Sequence, residues 1–158
     1  MSTINVGIAD LNVCTAPDVL ATYALGSCVG ICLYDKKTGV AGLAHIMLPW
    51  SKDASKADNM RRYADTGIWE LCNLMKSKGA NFPTVVAKIA GGAQMFQANS
   101  SVFNIGERNV EAVKIVLSKL NIPIVAEQTG ENYGRTVFFD AATGTMQVKC
   151  AARPTMNY

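Results

Sequence analysis

The sequence predicts an α+β fold: a large mixed β-sheet or set of β-layers with two main helices packed on one side. Short runs rich in valine, isoleucine and leucine, bounded by glycine, proline and polar turns, occur both early and late in the chain. Two segments between them carry apolar residues at helical spacing. Strands precede and follow these helices without a regular βαβ alternation, which makes the class α+β.

Ile4 to Val13 reads as a first strand, interrupted near Asp10, and Ala16-Pro17-Asp18 turns the chain. Val19 to Leu25 is a second strand that Gly26-Ser27 breaks. Val29 to Tyr34 and Val40 to Leu48 flank the turn-like Asp35-Lys36-Lys37-Thr38-Gly39 and form a β-hairpin. A polar loop, Trp50 to Asp58, leads into a helix from about Asn59 to Lys78, with Ala64, Ile68, Leu71, Cys72 and Met75 on its buried face and Gly79 as its stop. Val85 to Ala90 is a buried strand running into Gly91-Gly92, and Ala93 to Ala98 is a candidate short helix. A second main helix runs from Gly106 or Glu107 to Leu120, ended by Asn121 and Pro123. Ile124 to Gln128 is a strand, and Arg135 to Asp140 with Thr145 to Cys150 forms a closing hairpin.

The totals bound the class. With 158 residues, 49% hydrophobic, and no repeat or linker, residues 1–158 form one domain with a substantial core. The net charge of +3 comes from scattered lysines and arginines, so no nucleic-acid partner is expected. Five cysteines, an odd number, without a secretory leader point to a reduced cytoplasmic protein. The longest weakly polar stretch, Val40 to Trp50, is far short of the ~20 residues that span a bilayer, so no membrane insertion is expected.

Chemistry concentrates at Cys28 and at His45, the single histidine. If the hairpin loop is Lys36 to Gly39, Asp35 pairs with Val40 and Gly30 lies opposite His45. Cys28 and His45 then share a face as diagonal neighbours, roughly 7–8 Å apart at the backbone. A five-residue loop would put them on opposite faces. Thr22 and Cys28 are six positions apart, about 20 Å on a straight strand, so one site containing both requires a bend or bulge at Gly26.

Several words of the sequence resemble one family. Thr22, Leu25-Gly26-Ser27-Cys28 and Ala44-His45-Ile46-Met47-Leu48-Pro49 match the hallmark of the CheD family of chemoreceptor glutamine deamidases. Arg62 to Thr66, Ala87 to Ala93 with Met95-Phe96, and Asn104 to Asn109 match further blocks in the same order. The resemblance covers nearly the whole chain. It implies a fold like that of a bacterial toxin deamidase; no cofactor is expected, and with one histidine and no paired cysteine motif no metal site is expected either. It implies a cysteine hydrolase that converts glutamines in the helical cytoplasmic region of methyl-accepting chemotaxis receptors to glutamate, with Cys28, His45 and Thr22 as catalytic residues. It also implies a second partner, the CheC phosphatase, which such proteins bind and stimulate. Where family members usually carry glycine, this chain has Ala24, which adds strain if the position requires positive φ.

The chemistry explains those residue types. A thiol with an ordinary pKa of about 8.5 becomes a nucleophile when an imidazole takes its proton. Cys28 would attack the carboxamide carbon, backbone N–H groups freed at Gly26-Ser27 would hold the oxyanion, and His45 would protonate the leaving ammonia. Water would then hydrolyse the thioester. Thr22 would accept the second ring N–H of His45 and set its tautomer.

Each residue also has a plainer reading. Free cysteine is among the most buried residue types, and core packing is the expectation for Cys14, Cys32, Cys72 and Cys150. Cys28 and Cys32 on one strand stand about 13 Å apart, too far to share an ion. Gly91-Gly92 lacks the lysine and hydroxyl of a phosphate loop and reads as a tight turn beside the site. Asp65 is a structural anchor or part of the cleft. Phe103 is a core residue or a partner contact, grouped with Gly26 and Ser27 as candidate binding positions. The alternative function is a binding module that docks CheC or receptor with little turnover.

Overall fold

The computed structural model describes all residues except 53, 56 and 96–103. Among them, strands β1 (Thr3–Asn5), β2 (Asp10–Cys14), β3 (Val19–Leu25), β4 (Val29–Asp35) and β5 (Ala41–Ile46) precede helix α1 (Ala64–Ser77). Strand β6 (Val85–Gly91) separates α1 from α2 (Ile105–Lys119), and β7 (Ile124–Thr129), β8 (Arg135–Asp140), β9 (Thr145–Lys149) and β10 (Met156–Asn157) complete the chain. The β-layers are two five-stranded sheets rather than one large sheet. One has the order β1-β3-β8-β9-β10 and the other β2-β5-β4-β6-β7.

Alternation of side chains along β4 and β5 dictates the layering. Val29, Ile31, Leu33, Ala44 and Ile46 face α1 and α2, joining Ile68, Leu71, Val113 and Leu117 in one core. Cys32, Ala41 and Leu43 face the other sheet and meet Leu20, Leu25, Val137 and Phe139 in a second core. The helices therefore cover one sheet, the second sheet covers its opposite face, and burying each large aliphatic side chain contributes roughly 1.5–3 kcal/mol. α1 rests closely on β5: a Cβ on Gly42 would stand 2.8 Å from Met75 Sδ and 2.9 Å from Leu71 Cδ1.

The predicted first strand is two strands, because the chain crosses from one sheet to the other between Asn5 and Asp10. The helix expected from Asn59 starts later. Met60–Arg62 is a 3₁₀ turn, and Tyr63 is extended, at φ −106° and ψ 144°. The reason is long-range pairing. Met47 N–H and Leu48 N–H both donate to Arg62 C=O, and Ala64 N–H donates to Leu48 C=O, so the end of β5 claims this backbone before a helix can form. Ala93 to Met95 form no regular element, and the rest of that candidate helix lies outside the described residues. The brief β10 had no signal in the sequence.

Candidate active site

The hairpin has the four-residue loop: Asp35 N–H donates to Val40 C=O at 2.9 Å, and Gly30 pairs with His45. His45 therefore points into the inter-sheet core. Cys28 stands one residue before β4 and packs against that same core. The segment carrying it, Gly26 to Cys28, is the crossover from β3 in one sheet to β4 in the other. β3 bulges between Thr22 and Leu25, and Ala24 sits at φ 58°. The bend expected at Gly26 thus falls two residues earlier, at Ala24, and places a methyl-bearing residue where glycine is normally preferred.

Thr22, on β3, meets His45, on β5, across the two sheets. Its Oγ1 lies 2.7 Å from His45 Nδ1 and donates to Val6 C=O at 2.7 Å. A hydroxyl has one hydrogen, and the Val6 carbonyl takes it. His45 Nδ1 must then be the donor to Thr22, which leaves Nε2 as the bare, basic nitrogen. Nε2 is buried and has no hydrogen-bond partner among the described residues. The chain between β1 and β2 is tied to both β3 and β5, with Val6 N–H on Ala21 C=O at 2.7 Å and Ala9 N–H on His45 C=O at 3.0 Å. His45 is fully buried, and that burial lowers its pKa from an ordinary 6.5 to about 4.

Cys28 is half-buried. Burial raises its pKa, with its own backbone N–H pulling in the opposite direction. At rest both groups are thus neutral, a thiol and an imidazole that pack toward the same core without a hydrogen bond between them. Three consecutive carbonyls around Cys28 are all engaged: Gly26 C=O by Ala93 N–H at 2.8 Å, Ser27 C=O by Asn109 Nδ2 at 3.0 Å, and Cys28 C=O by Gly92 N–H at 2.8 Å. Gly91 and Gly92 are the tight turn expected here, at φ 111° and 67°. A Cβ on Gly91 would stand 2.3 Å from Cys28 C=O. Met95 lies over Gly26, its Cγ 3.3 Å from where a Cβ would stand.

Gly26 and Ser27 thus lie beside Cys28, whereas Phe103 lies outside the described residues. Asp65 carries a structural contact: its carboxylate accepts from Ser51 N–H at 3.1 Å and from Ser51 Oγ–H at 2.8 Å, anchoring the loop after Pro49. Cys32 and Cys72 are buried, and Cys14 and Cys150 pack at the edge of the inter-sheet core. Among the described residues, no helix is long and apolar enough to cross a membrane.

Two participants were missed in the sequence. Val6 acts through a backbone carbonyl, which no side-chain pattern reveals. Asn109 had a signal, being four residues before Val113 and seven before Val116 and so a polar residue inside the apolar stripe of α2.

Comparison with known proteins extends across this site. Residues 47–150 match the family model described as "CheD chemotactic sensory transduction". That match begins after His45, but whole-length relatives reach further. A probable chemoreceptor glutamine deamidase CheD of Caldanaerobacter subterraneus is 54% identical over 92% of this chain and 91% of its own. Proteins of the same name from Lachnoclostridium phytofermentans and Clostridium tetani are 48% and 51% identical over 96% and 91% of this chain, and 95% and 88% of their own. Such coverage leaves too few residues at either end to exclude positions 22 to 45. In fold, the chain resembles the crystal structure of Neisseria meningitidis protein NMB0706, of the family DUF152. The TM-score is 0.52 at 10% identity, over 82% of this chain and 64% of that one. With the family match spanning most of the chain and relatives near half identical along its length, the chain belongs to the CheD family.

Proposed function

We propose that this chain is a chemoreceptor glutamine deamidase, a cysteine hydrolase acting in the cytoplasm on the helical part of chemotaxis receptors. The observation that carries the reading is the relay from Val6 C=O through Thr22 to His45. It assigns the ring proton to Nδ1 and leaves a bare Nε2, buried and unpartnered, on the face that Cys28 shares. A buried basic nitrogen without a partner is costly in a folded core, and a reaction that uses it as a base accounts for its retention.

In this mechanism a receptor glutamine enters over Gly26 and Ser27, and Nε2 takes the Cys28 proton as sulfur attacks the carboxamide carbon. Among the described residues neither Ser27 N–H nor Cys28 N–H is bonded to another backbone carbonyl, and both are the donors that would hold the tetrahedral oxyanion, Cys28 N–H turning to it from its own thiol. The imidazolium, steadied through Nδ1–H on Thr22, gives its proton to the departing ammonia. Water activated by Nε2 then cleaves the thioester to glutamate. The depressed imidazole pKa leaves the base unprotonated at neutral pH.

Intact-peptide mass spectrometry of a receptor cytoplasmic fragment tests the proposal. Wild type should convert specific glutamines to glutamate and Cys28→Ala should not; conversion by neither protein overturns it. Docking of the CheC phosphatase, which the family resemblance also implies, is separable. It should survive Cys28→Ser, which exchanges one atom.

A further inference from the structure

The geometry points to Asn109 as a positioning residue that aims the oxyanion-binding peptide at Cys28 and holds it against the strand that carries His45. This inference rests on the deamidase reading for its consequence, though not for its geometry. The β4–β5 ladder ends at the pair Val29 and Ile46. One step further, Cys28 and Met47 would pair, but Cys28 C=O accepts from Gly92 and Met47 N–H donates to Arg62 C=O, so the two strand ends part where the site begins. Asn109 replaces the missing rung. Its Nδ2 donates to Ser27 C=O at 3.0 Å and to Met47 C=O at 2.9 Å, tying the residue before Cys28 to the residue two after His45.

The orientation of the amide is unambiguous, since two carbonyl oxygens can be met only by the NH₂ group and would repel Oδ1. Oδ1 is left buried and, among the described residues, without a partner, and Asn109 itself is fully buried. An apolar side chain of the same size would spare that cost, so the two donated bonds are what this position requires.

The direction of those bonds matters. In a trans peptide the C=O and the following N–H point in opposite directions. Drawing Ser27 C=O toward α2 turns Cys28 N–H away from α2. Ala93 N–H does the same for Ser27 N–H by engaging Gly26 C=O at 2.8 Å. Asn109 is held in place for this because α2 abuts the turn itself, where a Cβ on Gly106 would meet Ala93 C=O at 2.4 Å.

Asn109→Leu, which keeps the size and removes both donors, is the test, with thermal melting to verify folding. On a receptor fragment that wild type deamidates, kcat should fall by about a hundredfold or more, as for loss of an oxyanion donor, while KM changes by less than about threefold. A second readout needs no substrate. The rate of Cys28 alkylation by iodoacetamide, followed against pH in wild type and variant, should shift to higher pH as His45 and Cys28 lose register. If wild type fails to deamidate, the deamidase reading falls and the alkylation profile alone still decides Asn109. If Asn109→Leu does not fold, Asn109→Ser carries the same expectations. Wild-type kcat together with a wild-type alkylation profile in a folded variant overturns the proposal.

Discussion

The two ends of the β4–β5 hairpin each bury a titratable side chain, and they treat it in opposite ways. At the turn, Asp35 is fully buried and its carboxylate accepts four hydrogen bonds, from Lys37 N–H, Thr38 Oγ1, Thr84 Oγ1 and Asn81 N–H. Burial alone would push its pKa up, but these donors outweigh that and hold it well below the ordinary carboxylate range. At the open end, His45 makes one side-chain hydrogen bond and keeps Nε2 bare, so burial pushes its pKa down without opposition. A buried polar group whose bonds are all met stabilises a fold. One whose reactive atom is left open costs stability, and its retention points to chemistry.

The sharpest test of this contrast is to remove each group in turn. His45→Gln should lower deamidation by about a thousandfold or more, followed by mass spectrometry of the receptor fragment, with little loss of stability. Asp35→Ala should do the reverse. It strands four donors around the turn and should cost about 3 kcal/mol in urea unfolding, with per-molecule activity retained while the protein is folded.

The pH dependence of stability separates the two ends next. His45 is depressed to about 4 in the folded state against an ordinary 6.5, so as pH falls below 6.5 the unfolded chain binds its proton first. Stability should therefore decline between pH 6.5 and 4, by up to about 3 kcal/mol from this group. Asp35 is also depressed, so its stabilisation is present above the ordinary aspartate pKa of about 3.9 and is lost only as pH falls below that. Urea unfolding across this range should show two successive losses, with the upper one absent in His45→Gln. Persistence of the upper loss in that variant would break the assignment. The smallest expected effect lies on the crossover. Ala24→Gly relieves a left-handed alanine but frees the unfolded chain, for a net gain of up to about 1 kcal/mol by thermal melting.

Much of the fold was legible because it is local. β3 runs from Val19 to Leu25, as its composition predicted, and α2 begins within two residues of its expected start. The sequence left the hairpin register open between a four- and a five-residue loop, and the structure closes it at four, where Asp35 takes Lys37 and Thr38 as donors. That register puts Cys28 and His45 on one face. Less legible were features set by distant backbone: the split of the first strand and the delayed start of α1, where Arg62 and Ala64 bond to the end of β5.

By itself, then, the sequence determined most of the elements and the existence of the hairpin, because periodicity and turn residues act within a few positions of themselves. Only the tertiary structure decided that Thr22 reaches His45 from another sheet, that the Val6 carbonyl assigns the ring proton, and that Asn109 ties together the strand ends. Those contacts join residues 16 to 82 positions apart. No local pattern encodes which two sheets will face each other. That is settled by burying both apolar faces at once, and the site is formed where the chain crosses between them.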